Sequence, residues 1–251
     1  MNFKALARFC YATVPGVAAV RFGFMDLAGH YLIKPEFRGL RLISPVGTGL
    51  IIDIGANRGQ SISALKRFAP KSHIIAFEPD PRSCRIISDR YRDDKTVTTY
   101  NCALGDQSTT IKFFLPVYGR WACDGMGATN RQVATEWLFD PNRMFRYDPR
   151  KLKVEEHTVE CRTLDSFNLA PVVIKLHAQM AEVSILKGAR ETIEQHKPAL
   201  MCAFPTPELI NLCRGMGFTS YAYREGTLVK DAISPPGTTF TWFLTDRHLH
   251  L

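Results

Sequence analysis

The sequence predicts an α/β fold: a doubly wound, mostly parallel sheet with a C-terminal antiparallel strand. Three observations carry the prediction. From Leu50 onward, short apolar runs alternate with amphipathic stretches of helical period. The first run, Leu50–Ile54, leads directly into a glycine turn, Gly55-Ala56-Asn57-Arg58-Gly59. The second, starting at His73, stops at an acid, Glu78. That acid lies about 20 residues beyond the turn, the distance a βαβ crossover requires.

The elements follow in order. Residues 3 to about 32 suit helices, broken near Pro15-Gly16, and are expected to cover one edge of the domain. After the first strand, Ser61–Phe68 is a crossover helix ended before Pro70, and Pro81–Tyr91 a second with proline near its start. Val97–Cys102 is the third strand, and Thr109–Leu115 an added strand rich in β-formers. Between Pro116 and Glu156 the period is lost, and aromatic residues (Trp121, Trp137, Phe139, Phe145, Tyr147) interleave with arginines. This is the expected acceptor-recognition insertion, or a lid with a small core of its own. Regular structure returns with a strand at Val172–Leu176, a helix at Glu182–His196 and a strand at Ala199–Phe204. A helix at Pro207–Met216, closed by Gly217, leads to strands at Thr219–Tyr223 and Thr239–Leu244, the last antiparallel. The expected division is an N-terminal helical extension over residues 1–45 and one domain over 46–251, carrying the insertion at 116–156.

The glycine spacing narrows the ligand. A dinucleotide turn needs G-x-G-x-x-G, and a Walker loop needs Gly-Lys-Ser/Thr; neither is present. A phosphate-free nucleoside such as S-adenosylmethionine asks less of the backbone. Asp53 and Asn57 suit its ammonium and amide-type contacts, and the amides near Gly59 to Ser61 suit its carboxylate. Glu78 offers two oxygens to a ribose diol.

Asp53-Ile54-Gly55-Ala56-Asn57-Arg58-Gly59 and Phe77-Glu78-Pro79-Asp80-Pro81 resemble the cofactor motifs of the FkbM family of methyltransferases. Asn101–Asp106, Arg162-Thr163-Leu164-Asp165 and Leu186-Lys187-Gly188-Ala189 follow in the family's order. The resemblance implies a Rossmann-like class I methyltransferase, S-adenosylmethionine as cofactor, and O-methylation of a sugar, glycolipid or natural-product hydroxyl. It assigns the cofactor to Asp53, Gly55, Ala56, Asn57, Gly59, Ser61 and Glu78, with Ala103 and Leu104 flanking adenine. It sets Lys175, His177 and Glu182 beside the transferred methyl.

One stretch departs from the family. Where it carries Lys-x-Asp-x-Glu-Gly-x-Glu, this chain reads Lys175-Leu176-His177-Ala178-Gln179-Met180-Ala181-Glu182. Strand five, which often ends in Glu, reads Met201-Cys202-Ala203. Either His177 is a replacement base, or the chain binds S-adenosylmethionine with a disabled acceptor site and acts as a regulator or scaffold. A nicotinamide oxidoreductase is a third reading, disfavoured by the missing glycine. Too few carboxylates converge for a metal, so none is expected.

At 251 residues and 45% hydrophobic content, the chain has material for one core and an appendage. Its net charge is +8, and residues 1–50 hold six Lys/Arg against Asp26 and Glu36. That suggests contact with an acidic surface, or only a solvated helix face. No nucleic-acid module is recognisable. Seven cysteines without C-x-x-C spacing read as free or buried thiols in a reducing compartment. With no signal-peptide pattern and no apolar run near the ~18 residues of a membrane span, a cytoplasmic protein is expected.

Overall fold

The computed structural model describes residues 3–28, 33–44, 47–140 and 143–249. Two N-terminal helices, α1 (Phe3–Thr13) and α2 (Val17–Ala28), precede a short 3-10 segment, Pro35–Arg41. The expected helix beyond Ala28 falls on residues 29–32, outside the described residues. Then come β1 (Leu50–Ile54), α3 (Gln60–Phe68), β2 (His73–Phe77), α4 (Pro81–Arg90) and β3 (Val97–Tyr100). Helix α4 starts where expected because Pro81 opens its first turn and the Asp80 carboxylate accepts from Arg82 N.

The middle of the chain forms β4 (Ala103–Leu104), β5 (Thr109–Tyr118), β6 (Trp121–Ala122), α5 (Arg131–Glu136) and β7 (Leu152–Arg162). The rest is β8 (Pro171–Leu176), α6 (Glu182–Lys187), α7 (Arg190–His196), β9 (Ala199–Ala203) and α8 (Pro207–Gly215), followed by β10 (Thr219–Arg224), β11 (Thr227–Lys230) and β12 (Phe240–Leu244).

Eight strands make the main sheet, in the order β11-β10-β12-β9-β8-β1-β2-β3. Strands β3, β2, β1, β8 and β9 are parallel, and β12 enters antiparallel beside β9. Alternate residues of the central strands face two separate cores. Ile51, Ile74, Val173, Met201 and Trp242 pack with Ile62 and Leu65 of α3 on one face. Ile52, Ile54, Ile174, Leu200 and Phe243 pack with Leu186 and Ile193 on the other. Residues 35–41 are pinned to the first core: the buried Glu36 accepts from Thr239 N at 2.6 Å and Phe240 N at 3.2 Å.

A second sheet, β4-β7-β5-β6, stands beside the first. Its spine is the antiparallel β5–β7 ladder, paired from Thr109↔Cys161 to Tyr118↔Leu152. The aperiodic segment expected over 116–156 is therefore irregular mainly between Gly119 and Lys151, and its flanks are strand. The expected single helix over 182–196 is two. Gly188 lies against backbone, where an added Cβ would sit 1.9 Å from Gly105 O. Asp165 restarts the helix by accepting from Glu191 N at 3.1 Å and Thr192 N at 2.8 Å.

Helix α1 docks on the second sheet. Arg120 N donates to Ala12 O at 3.0 Å, and Ala12 shares a small core with Tyr118, Trp121, Leu138 and Met144. All seven cysteines are free thiols, six of them buried. No described helix is long and apolar enough to cross a membrane.

Candidate active site

The site is built on the turn after β1. Gly55 and Gly59 have φ of +69° and +84°, and Asn57 joins them at +49°. Left-handed backbone suits glycine and is tolerated by asparagine. Gly55 is required for a further reason: a Cβ there would meet His177 O at 1.9 Å. The turn therefore lies directly against the segment that follows β8.

Beneath it sits a buried ion pair. Lys175 Nζ lies 2.8 Å from Asp53 Oδ1, with the side chains 2% and 0% exposed. The same ammonium donates to Gly55 O at 2.9 Å, and Ser61 Oγ donates to Asp53 Oδ2 at 2.5 Å. Asp53 and Lys175 thus clamp β1, β8 and the start of α3 together.

Glu78 closes the turn from β2. Its Oε2 accepts from Asn57 N at 2.7 Å and its Oε1 from Asp80 N at 2.9 Å. Each oxygen keeps a second lone pair. Burial pushes this carboxyl up to about 7, against the opposing pull of the two backbone N–H groups.

Two cavities meet over the turn. The first holds about 700 Å³ of free space, mouth included. Phe77, Cys102, Leu104, Phe113 and Ile185 give it an apolar end, and Glu78, Pro79 and Asp80 a polar one. The second holds about 2210 Å³, roofed by α1, α2 and the segment between β6 and β7. Gly55, Asn57, Asp124, Gly125, His177 and Gln179 line both and form their junction. Gln179 Nε2 donates to Gly125 O at 2.8 Å and ties the two sides together.

Two titratable groups stand at the junction. Burial drives His177 down to about 3, helped by the ammonium groups of Lys175 and Lys34, so its imidazole is neutral at physiological pH. Burial raises Asp124 to about 6, while Arg58, 3.4 Å away, pulls it back.

The structure separates the residues singled out from sequence into three groups. Gly55, Asn57, Glu78, Ala103, Leu104 and His177 line the first cavity. Ala56, Ser61 and Lys175 reach only the second. Asp53, Gly59 and Glu182 reach neither. Asp53, expected to meet the ligand's ammonium, is paired with Lys175 beneath the turn. Gly59 precedes the first turn of α3. Glu182 does not face the junction; its carboxylate accepts from Ala178 N at 2.7 Å and fixes the turn before α6. Met180 stands 67% exposed, so its bulk points to solvent and not into the site. Sequence reading missed Asp124, whose only local signal is an acid followed by two spaced glycines, Gly125 and Gly127.

The sheet order, the glycine turn and a cavity at the carboxyl edge of β1 and β2 define a Rossmann-like methyltransferase fold. The family profile described as the methyltransferase FkbM domain matches residues 53–219. The chain belongs to this family, whose members depend on S-adenosylmethionine. A solved methyltransferase FkbM from Methylobacillus flagellatus KT is similar at 18% identity and a TM-score of 0.51, covering 96% of this chain and 58% of its own. This chain thus spans little more than half of that protein's length. Precorrin-6y C5,15-methyltransferase from Geobacter metallireducens is similar at 10% identity and TM-score 0.44, covering 84% of this chain and 87% of its own. A TehB-like S-adenosylmethionine-dependent methyltransferase from Corynebacterium glutamicum follows at 12% identity and TM-score 0.43, covering 91% and 96%. No curated protein matches the chain.

Proposed function

We propose that the protein is an S-adenosylmethionine-dependent O-methyltransferase acting on a hydroxyl of a sugar, glycolipid or natural product. The observation that carries this reading is the pair of cavities joined at Gly55, Asn57, Asp124 and His177. A donor in the smaller and an acceptor in the larger would meet at that junction. The first cavity suits the cofactor. Gly55 leaves a backbone cradle that a Cβ would fill. The spare lone pairs of Glu78 suit a ribose diol, and Leu104 and Ala103 an adenine ring.

S-adenosylmethionine, when bound, supplies a methyl group already activated by its sulfonium. The chain is left with placement and the acceptor's proton. His177, neutral and at the junction, can accept a hydrogen bond from the acceptor hydroxyl and orient it. Asp124 is better matched to take the proton, because its carboxyl sits near 6 while the imidazole sits near 3. Asp53, Lys175 and Glu182 act as positioning residues beneath the turn. Helices α1 and α2, within the expected N-terminal extension of residues 1–45, help roof the acceptor chamber, in a cytoplasmic protein with a small-molecule or glycan acceptor.

The test is release of S-adenosylhomocysteine against a pooled glycan and metabolite extract, with wild type, Asp124→Asn and His177→Ala. Loss of release in Asp124→Asn with cofactor binding intact supports the assignment; full activity in both variants rejects it. A second reading, binding without transfer, is favoured by the neutral side chains at His177 and Gln179, where the family carries acids. It predicts binding with no release from wild type, and recovery in His177→Asp.

A further inference from the structure

The wall of the larger cavity carries more positive charge than a methyl donor calls for. Arg8, Arg21, Lys34, Arg58, Arg143 and Lys175 face a single acid, Asp124. Two of the six are neutralised: Lys175 by Asp53 at 2.8 Å and Arg58 by Asp124 at 3.4 Å; Arg143 keeps an exposed, solvent-screened pair with Asp140 at 3.0 Å and still acts on Arg8 as a like charge. Among the described residues, no carboxylate forms a salt bridge with Arg8, Arg21 or Lys34. Arg8 is held below its ordinary range by burial and by the neighbouring charges of Arg143 and Arg21. The three guanidinium groups therefore repel one another, a defect that an anionic ligand removes.

Aromatic rings hold these cations in place. Arg8 lies over the Trp137 ring at 4.5 Å and Arg143 over the same ring at 5.0 Å. Arg21 lies over Tyr11 at 4.8 Å. A guanidinium carries five donors, and Arg8 commits Nη1 to Arg143 O at 2.8 Å. The remaining donors suit an oxyanion, in the fork geometry that phosphate and carboxylate match. On the junction side, Phe204 is 64% exposed and joins Phe240 in the wall, an apolar platform for the face of a sugar ring.

We propose that the acceptor is an anionic sugar whose phosphate or carboxylate binds the Arg8–Arg21–Arg143 cluster while its ring lies toward Phe204 and the junction. This rests on the reading of the larger cavity as the acceptor site. The phosphate and the carboxylate share one chemistry here, and the test separates them.

The test is titration calorimetry on the full chain saturated with S-adenosylhomocysteine, using glucose 1-phosphate, glucuronate and methyl glucoside as probes. One anionic probe should bind at least about tenfold more tightly than the neutral one, with affinity falling as salt rises. The tighter of the two identifies the group. Arg21→Gln and Arg8→Gln should each weaken that probe by about tenfold, and Arg8→Lys should recover most of the loss. Arg21→Gln keeps the test decisive if removing Arg8 from the Arg143 carbonyl unsettles the fold. Equal or absent binding of all three probes overturns the proposal, as does unchanged anion affinity in both glutamine variants. Binding of S-adenosylhomocysteine is read in the same cell. If it fails, the donor reading falls, and the probe comparison on the ligand-free chain still decides the anionic one.

Discussion

Replacing Glu78 by Gln tests the donor site most directly. The carboxylate accepts from Asn57 N at 2.7 Å and Asp80 N at 2.9 Å, leaving one lone pair on each oxygen for the ribose hydroxyls. A Gln amide keeps one acceptor and turns an NH₂ group toward one of those N–H donors. Two charge-assisted hydrogen bonds to the diol are then weakened or lost, roughly 2–4 kcal/mol, or about 30- to 1000-fold in affinity. The pH dependence supplies an independent sign. Burial raises this carboxyl in the folded chain to about 7, above the 4.5 of an unperturbed glutamate. Ionising it therefore costs stability as pH rises from 4.5 to about 7, and a ligand that hydrogen-bonds the carboxylate offsets that cost. The ionised fraction of a group whose pKa is about 7 grows about tenfold between pH 6 and 8, so affinity for S-adenosylhomocysteine should grow by about that factor. Calorimetry at pH 6, 7 and 8 on wild type and Glu78→Gln measures both effects. A variant within threefold of wild type refutes the ribose assignment, and a wild-type affinity flat across this range shows a carboxylate already ionised at pH 6.

Other consequences concern the scaffold. Gly55→Ala would drive a Cβ to 1.9 Å from His177 O at a φ of +69°, and should destabilise the fold by roughly 2–4 kcal/mol in chemical denaturation. Lys175→Met strands the fully buried Asp53 charge and should cost roughly 3–5 kcal/mol, with a smaller loss when Asp53→Asn is added in a double-mutant cycle. Met180 adopts a φ of +76° while 67% exposed, so Met180→Gly relieves backbone strain without emptying a core. It should raise stability by about 0.5–1 kcal/mol, seen as a higher midpoint in urea.

Strands buried on both faces were plain in the sequence. Leu50–Ile54 and Ala199–Ala203 are almost wholly apolar, and such runs can only lie inside a layered sheet. Strand β7 was hidden for the opposite reason. Its buried phase shifts midway, and Lys153, Glu155, Glu156 and Glu160 cover its outer face. The ladder to β5 defines it, and a ladder is a long-range fact. The break between α6 and α7 was likewise invisible, because it depends on Gly188 meeting Gly105 across the fold. At the site, Gly55, Asn57 and Glu78 were legible because one turn and one strand end bring them together. The packing partners of Asp53 and Glu182 were not, since spacing alone does not show whether a carboxylate pairs with a lysine or a neighbouring backbone. Asp124 arrives from the aperiodic segment, 67 residues after Asn57 in the chain and beside it on the wall.

The docking of α1 on the turn after β5 has an engineering consequence. Gly119 packs so tightly that an added Cβ would lie 2.5 Å from Ala12 O, and Tyr118 and Trp121 are buried with Ala12 in one small core. The helix and the 119–151 segment are therefore a matched pair, swapped together or not at all. A chimera that imported the segment alone would leave Trp121 without its cover and the chamber without one wall. The profile shared with the family begins at residue 53, beyond the helix. It runs on to residue 219 and so takes in the 119–151 segment, which means that the shared profile holds one member of this matched pair and not the helix that covers it.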